Sequence, residues 1–456
     1  MSFADRKTPV GASDLETRTV RKLFWRLLPF LFLVYVVNYL DRINVGFAAL
    51  QMQAQLGLSD RVYGLGAGIF FAGYFIFQLP CNLALTRVGA RRWISAIMVV
   101  WGVISSCMIF VRSAHEFYAL RFLLGVAESG FFPGIILYLK NWFPANARAR
   151  AVALFMTANP IAGVVGGPIS GALLGLHTGP LAGWQWLFLI EGTPAVLLGI
   201  ATLRLLAETP QSVIWLSSEE RSWLDATLLR EREAHPDATC NWSAAFLNGR
   251  VWLLTLVYFG ETTCMYGLVY FLPKMIRSVS AVASFRIGLL STIPYVAAAV
   301  AMVLVGMHSD RTGERRWHLA GLAFAGTVGA WAAGFVTSTA ATVALLGLAL
   351  SATFSMMGPF WALSAALLSD TTAAAGIAVI NSFGNLGGFL GPYSIGRLRN
   401  ANGFRGGMIV VGAALLLAGL IALLVSERHG TFSSSDTHPL QLGASQLRTG
   451  RAEPDA

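Results

Sequence analysis

Twelve stretches of the chain are each long and apolar enough to form a helix that crosses a lipid bilayer, which takes about 20 largely apolar residues. This pattern predicts an all-α membrane protein with twelve transmembrane helices. The stretches are residues 24–48, 62–85, 93–111, 117–140, 150–176, 184–206, 251–276, 286–308, 317–336, 340–368, 374–396 and 404–426.

The composition excludes a soluble protein. Only 12% of the residues are charged, against about 25% in a typical soluble domain. Such a chain would expose apolar patches that water does not tolerate. The net charge of +10 is compatible with nucleic-acid binding, but the Lys and Arg residues lie in short loops between the apolar stretches. Membrane proteins concentrate them there, so we expect the lipid bilayer, and no nucleic acid, as a partner.

The loop charges predict the orientation in the membrane. If the N-terminus is cytoplasmic, twenty-two Lys and Arg residues lie on its side and eight on the other. Because cytoplasmic loops carry the excess of basic residues, both termini are expected in the cytoplasm of a multi-pass protein of the cell inner membrane. The predicted parts are a cytoplasmic N-terminal tail (1–22), a six-helix half (23–206), a cytoplasmic central loop (207–250), a second six-helix half (251–426) and a cytoplasmic C-terminal tail (427–456).

An internal repeat relates the two halves. TRVGARRW (residues 86–93) follows the second apolar stretch, and DRTGERRW (310–317) follows the eighth, with five of eight positions identical at an offset of 224. The same offset pairs Gly163 with Gly387, Gly167 with Gly391 and Pro168 with Pro392. One constant offset indicates two six-helix halves in parallel repeat. Substrates of such carriers bind between the halves near the membrane midplane.

Several motifs resemble a known transporter family. GMHSDRTGERR (306–316) is similar to the basic loop motif of the major facilitator superfamily, although Thr86 replaces the usual Asp in the first copy. NYLDRIN (38–44), RFLLGVAESGFFP (121–133) and NWFP (141–144) resemble its anion:cation symporter family, which includes tartrate, phthalate and 4-hydroxyphenylacetate permeases. The resemblance covers about residues 20–426. It implies proton-driven symport of a small organic carboxylate, such as tartrate, a sugar acid or an aromatic acid, by alternating access.

Four charged residues lie inside the apolar stretches, where charges are costly and usually functional. Asp41 and Arg42 are in the first stretch, and Arg121 and Glu128 lie on one face of the fourth, about 10 Å apart along the helix. A buried ion-pair network that only fixes helix packing is the alternative. The repeat argues against it, because the offset of 224 leads to four uncharged residues, Met265, Tyr266, Leu345 and Ala352.

The family resemblance implies roles for these residues. Asp41 and Glu128 match the proton-coupling acids, while Arg42 and Arg121 match arginines that bind the substrate carboxylate or hold the acids. An arginine can engage a carboxylate through two hydrogen bonds and stays charged. Which arginine contacts substrate stays open.

Further candidates have equally good structural explanations, because polar residues in membrane helices often only join helices. Tyr39 and Tyr74 match family positions near substrate. Trp361, Asn381 and Asn385 could form the opposite wall of the site. Glu261 has no counterpart in the family, and we expect it to be exposed to water near the start of a helix. Glu191 is expected to be structural.

Other functions are excluded or disfavoured. None of the four lysines follows a glycine, so there is no phosphate-binding loop for ATP. The seven histidines lack zinc spacing. We therefore expect no enzyme, cofactor or metal, and a monomer whose partners are a small organic anion and protons. The alternatives are an anion exchanger or facilitator without proton coupling and, less favoured, a membrane sensor, for which the tails are too short to hold a signalling domain.

Overall fold

A computed structural model describes residues 10–234, 242–368 and 370–425. Within these ranges the chain forms α-helices, two short 3-10 turns and one isolated bridge between Asn400 and Gly403. The α-helices are α1 Val10–Leu56, α2 Asp60–Val88, α3 Ala90–Cys107, α4 Ala114–Glu128, α5 Phe131–Trp142, α6 Ala145–Met156, α7 Ala158–Leu173, α8 Gly183–Leu205, α9 Ser218–Ala234, α10 Trp242–Leu247, α11 Gly249–Ser278, α12 Ser284–Thr312, α13 Arg316–Ala333, α14 Thr339–Leu367, α15 Asp370–Asn385, α16 Gly387–Leu398 and α17 Arg405–Leu424.

Every predicted apolar stretch is helical in the structure. Three stretches are each formed by two consecutive helices, α4 with α5, α6 with α7, and α15 with α16. Within the described ranges, nine helices or joined helix pairs meet length and hydropathy requirements for crossing a membrane. The internal repeat is also visible in the helix bounds. Helices α2 and α12 both have 29 residues, and the first and last residues of α12 each lie 224 positions after those of α2.

Helix α1 begins well before its apolar stretch because its first turns are anchored to the central loop. Glu220, at the start of α9, forms ion pairs with Arg18 at 2.9 Å and Lys22 at 2.8 Å. Burial opposes ionisation of Glu220, but hydrogen bonds from Lys22 and from the Ser217 backbone outweigh it and hold its pKa below the ordinary value. The part of the connection from 207 to 234 is thus structured and includes the surface helix α9.

The two halves meet closely at the membrane face that carries Asp60, Lys274 and Arg399, here called the distal face. Small residues let backbones touch there, as they do in other membrane helix pairs. A Cβ atom built on Gly288 of α12 would lie only 2.2 Å from the Gly167 carbonyl oxygen of α7. The Asp60 carboxylate also forms ion pairs with Lys274 and Arg399 of the other half.

The opposite face, which carries α9 and α10, is here called the central-loop face. A cavity of about 820 Å³ opens there, lined by residues of α1 from Glu16 to Phe32 and by residues from Asn146 to Thr157 on α6 and just after it. Tyr35, one turn beyond Phe32, stacks on Phe155 of the cavity wall with ring centroids 4.2 Å apart. The two halves are therefore in close contact at the distal face, and the first half has a cavity at the central-loop face.

Replacing Gly288 by Leu is expected to open the distal face. The added side chain meets the Gly167 backbone, and overpacking of this kind costs about 1–3 kcal/mol. The distance between spin labels at the exposed positions Ala54 and Ala401 should lengthen. Gly306→Leu on the same helix is the control, because a Cβ at Gly306 meets no atom within 4 Å. Equal distance distributions in both variants would contradict this account of closure.

Candidate functional site

A buried ion pair joins α1 to the end of α4. The Nη2 atom of Arg42 lies 2.6 Å from Oε2 of Glu128, and the Nε atom lies 3.3 Å from the same oxygen. Asn38, one helical turn before Arg42, donates a third hydrogen bond to that oxygen at 3.0 Å. Residues four apart share a helix face, so α1 presents both donors to one carboxylate. Glu128 is fully buried.

Arg121 is equally deep but has no acidic partner. It is 1% exposed, and its Nη2 atom donates to the Tyr270 hydroxyl at 3.2 Å and to the Ala67 carbonyl at 3.4 Å. Among the described residues, no carboxylate oxygen lies within 4 Å of it, and its Nε atom has no hydrogen-bond partner. An uncompensated buried charge is strongly unfavourable, so Arg121 is the place where an anion would be bound most strongly.

The two arginines share one aromatic ring. The guanidinium carbons of Arg42 and Arg121 lie 5.2 Å and 4.9 Å from the centroid of Phe70, within the range of a cation–π interaction. Two positive groups and the one carboxylate of Glu128 give this cluster a net positive charge. The arrangement favours an anion with at least one carboxylate group.

The second half contributes two tyrosine hydroxyls that sequence reasoning missed. Arg42 donates from Nη1 to the Tyr266 hydroxyl at 3.2 Å, and Arg121 donates to Tyr270. The repeat contained the signal, since Tyr266 lies 224 positions after Arg42. Tyr270 lies 224 positions after Gly46, where an added Cβ would be 3.0 Å from the Tyr270 carbonyl oxygen. Equivalent positions of α1 and α11 thus face each other at the axis between the halves.

The other predicted binding residues are distributed unevenly. Tyr74 is near the arginines, with its ring centroid 5.7 Å from the Arg42 guanidinium carbon. Tyr39 is buried, its hydroxyl has no hydrogen-bond partner in the described part of the chain, and its ring lies edge-on to Phe354 at 6.4 Å.

Trp361, Asn381 and Asn385 belong to a separate area of the second half. The Trp361 ring lies edge-on to Tyr258 at 5.3 Å. The Asn385 amide donates to the backbone and side-chain oxygens of Asn381 at 2.7 Å and 3.1 Å. In the described part of the chain, none of the three has a hydrogen bond, ion pair or ring contact with Arg42 or Arg121. Their assignment to the substrate site stays a prediction.

Asp41 is directed away from the arginines. It accepts hydrogen bonds from Trp101 Nε1 at 3.0 Å, Ser105 Oγ at 2.8 Å and Asn44 Nδ2 at 3.4 Å. Consecutive helical residues point about 100° apart, so Asp41 and Arg42 contact different neighbours although they are adjacent in sequence. The structure brings Arg42, Arg121 and Glu128 together, whereas Asp41 is directed toward α3.

The expectation that Glu261 is exposed to water is wrong. Its side chain is 3% exposed, and neither carboxylate oxygen has a hydrogen-bond partner within the described ranges. Helix α11 begins at Gly249, three turns before it, so Glu261 lies well inside the helix and not at its start.

Known proteins with similar sequences are transporters. A family model described as Major Facilitator Superfamily matches residues 31–392 and 278–449. A protein of Agrobacterium vitis named "Putative tartrate transporter" is 47% identical over 91% of this chain and 96% of its own length. A "Quinolone resistance transporter" of Acinetobacter baumannii is 40% identical over 90% of this chain and 94% of its own.

A solved structure shows the same fold. The xylose transporter XylE from E. coli, in an inward-open conformation, aligns with a TM-score of 0.70 over 90% of this chain and 98% of its own, at 16% identity. The predicted fold of twelve helices in two halves is thereby confirmed. The chain is a transporter and not an enzyme.

Substitution of each arginine should separate binding from folding. Arg121→Gln removes no partner of a carboxylate, so we expect a stable, monodisperse protein that no longer gains thermal stability from organic anions. Arg42→Gln leaves Glu128 buried and unpaired, which costs about 3–5 kcal/mol and should lower the melting temperature. Adding Glu128→Gln to Arg42→Gln should restore much of it. Anion-dependent stabilisation that survives in Arg121→Gln would exclude Arg121 from the binding site.

Proposed function

The chain belongs to the Major Facilitator Superfamily, and we propose that it is a secondary active transporter that takes up a small organic carboxylate together with protons. The observation that carries this proposal is Arg121, a buried guanidinium with no carboxylate partner among the described residues, beside the Arg42–Glu128 ion pair. The planar fork of arginine matches a carboxylate group. A bound anion would therefore supply the missing negative charge.

The tartrate names of close relatives suggest the class of substrate. A hydroxylated dicarboxylate offers one carboxylate for Arg121 and further oxygen atoms for the hydroxyls of Tyr266 and Tyr270, which already contact the arginines. Sugar acids and aromatic acids are further candidate substrates, because the two arginines require only one carboxylate group. Tyr39, Tyr74, Trp361, Asn381 and Asn385 are proposed to line the rest of the site.

Competition for Arg42 would couple the anion to a proton. Without substrate, Arg42 neutralises Glu128 at 2.6 Å. A carboxylate that binds Arg42 and Arg121 draws the guanidinium from Glu128, which is then a buried acid without a counter-charge. Burial favours the neutral form of such a group, so Glu128 would take up a proton as the anion binds. Anion and proton then cross together.

Alternating access requires that the two faces open in turn. We propose that the central-loop face is cytoplasmic, because the loops on that side carry most of the Lys and Arg residues. The structure then represents a state closed on the outside by Asp60 with Lys274 and Arg399 and by the glycine contacts of α7 and α12. Movement of residues 23–206 against 251–426 about the α1–α11 axis would reverse the opening.

An inward proton gradient should drive uptake into proteoliposomes. Each pH unit supplies about 1.4 kcal/mol per proton, and an inside-negative membrane potential adds about 2.3 kcal/mol per net positive charge, or opposes uptake by as much per net negative charge, per 100 mV. Accumulation of labelled tartrate or another organic acid that stabilises the protein should rise with the gradient and collapse with a protonophore. Uptake that ignores both would instead indicate the alternative, an exchanger or facilitator without proton coupling.

Glu128→Gln should separate exchange from accumulation. The variant imitates the protonated acid at nearly the same volume, so it can bind the anion and carry it in both directions. It cannot release a proton for the return of the empty carrier. We expect near-parental exchange of labelled for unlabelled anion and loss of proton-driven net uptake. Glu219→Gln, at an exposed position, is the control, and parental accumulation by Glu128→Gln would remove Glu128 from the coupling mechanism.

A further inference from the structure

A second group of buried acids lies in the first half, on the side of α1 away from the arginines. Asp41 is on α1, and Glu191 is on α8, where Ser170 of α7 donates to Glu191 Oε1 at 2.7 Å. Asn44, one turn after Asp41, lies between the two acids. Its Nδ2 atom donates to Asp41 at 3.4 Å, and the same amide also interacts with Glu191. Asn44 is thus a neighbour of both carboxyl groups.

No cation neutralises this group. Among the described residues, neither Asp41 nor Glu191 takes part in an ion pair. The groups that face the two acids are Trp101 and Ser105 from α3, Ser170 from α7 and Asn44 from α1, and the charged group of α4 that acts on Asp41 is another acid, Glu128. Two carboxylates that share a site inside a membrane protein do not both ionise at moderate cost.

The hydrogen bonds distinguish the two acids. Asp41 accepts three hydrogen bonds, and such bonds stabilise an ionised carboxylate. Among the described residues, Glu191 accepts one hydrogen bond through Oε1, while its Oε2 atom and the Oδ1 atom of Asn44 have no hydrogen-bond partner. If Oε2 of Glu191 carries a proton, it can donate a hydrogen bond. The unpaired Oδ1 atom of Asn44 is a suitable acceptor for that bond.

We propose that Asp41 and Glu191 form a proton-sharing pair bridged by Asn44, with the proton on Glu191 in this conformation, and that Glu191 is a third proton-coupling acid of the carrier. The pair holds one proton and one negative charge in total. Its role in transport rests on the proposed proton coupling, whereas the existence of the pair does not. It is separate from Glu128, whose charge Arg42 neutralises.

Infrared spectroscopy of the purified protein tests the pair without any transport. Glu191→Gln should remove a C=O stretch of a protonated carboxyl group from the spectrum, and Asp41→Asn should leave that band in place. Loss of the band in Asp41→Asn and not in Glu191→Gln would place the proton on the wrong acid. No loss in either variant would overturn the pair. Glu261→Gln, at another buried acid without an ion pair, shows whether any other band falls in the same region.

Transport by the same variants tests the role of Glu191. Glu191→Gln should exchange anion at near the parental rate and lose proton-driven accumulation at least tenfold, while Glu191→Asp, which keeps a titratable carboxyl group, should recover part of it. A merely structural Glu191 would instead lower exchange and accumulation together. If the wild-type protein ignores the proton gradient but the infrared band follows Glu191, the pair stands and the proposed proton coupling fails.

Discussion

The ion pair between Arg42 and Glu128 is the interaction on which the rest of the site depends. Taking both charges out of water is costly, and only close geometry with further hydrogen bonds makes such a pair tolerable. Asn38 supplies one of those bonds, and Tyr266 accepts another from Arg42. Because Glu128 occupies Arg42, Arg121 is left without a counter-charge. That imbalance is the reason why we propose that an anion binds at the centre of the molecule.

The scaffold around this centre is symmetric, but its charges are not. Two repeated halves place equivalent positions of α1 and α11 face to face, so Arg42 meets Tyr266 across the axis. The first half supplies all the charges of the site, and the second half supplies hydroxyl groups. Contacts between small residues close the distal face by direct approach of backbones. A scaffold of this kind can change its open side while the charged residues keep their places in one half.

The sequence predicts the helices well and the contacts of the site only in part. Hydropathy locates all twelve stretches because the bilayer demands a minimum apolar length. The four charged residues stand out for the same reason. The direction of Asp41 could not be predicted, since its partners Trp101 and Ser105 come from another helix. The sequence favours a structural Glu191 and does not connect it with Asp41, because nothing in a linear pattern shows that Asn44 lies next to both acids. Tyr266 could have been predicted as a site residue, because the repeat offset of 224 leads from Arg42 directly to it.

Proton uptake on anion binding is the most direct measure of the central claim. The purified protein, in weakly buffered detergent solution with a pH indicator, should take up about one proton per bound anion at neutral pH, because binding and protonation are linked. In the same titration, the Glu128→Gln variant should bind the anion without taking up this proton. Anion binding by the wild-type protein with no change in bound protons would contradict the exchange of partners at Arg42.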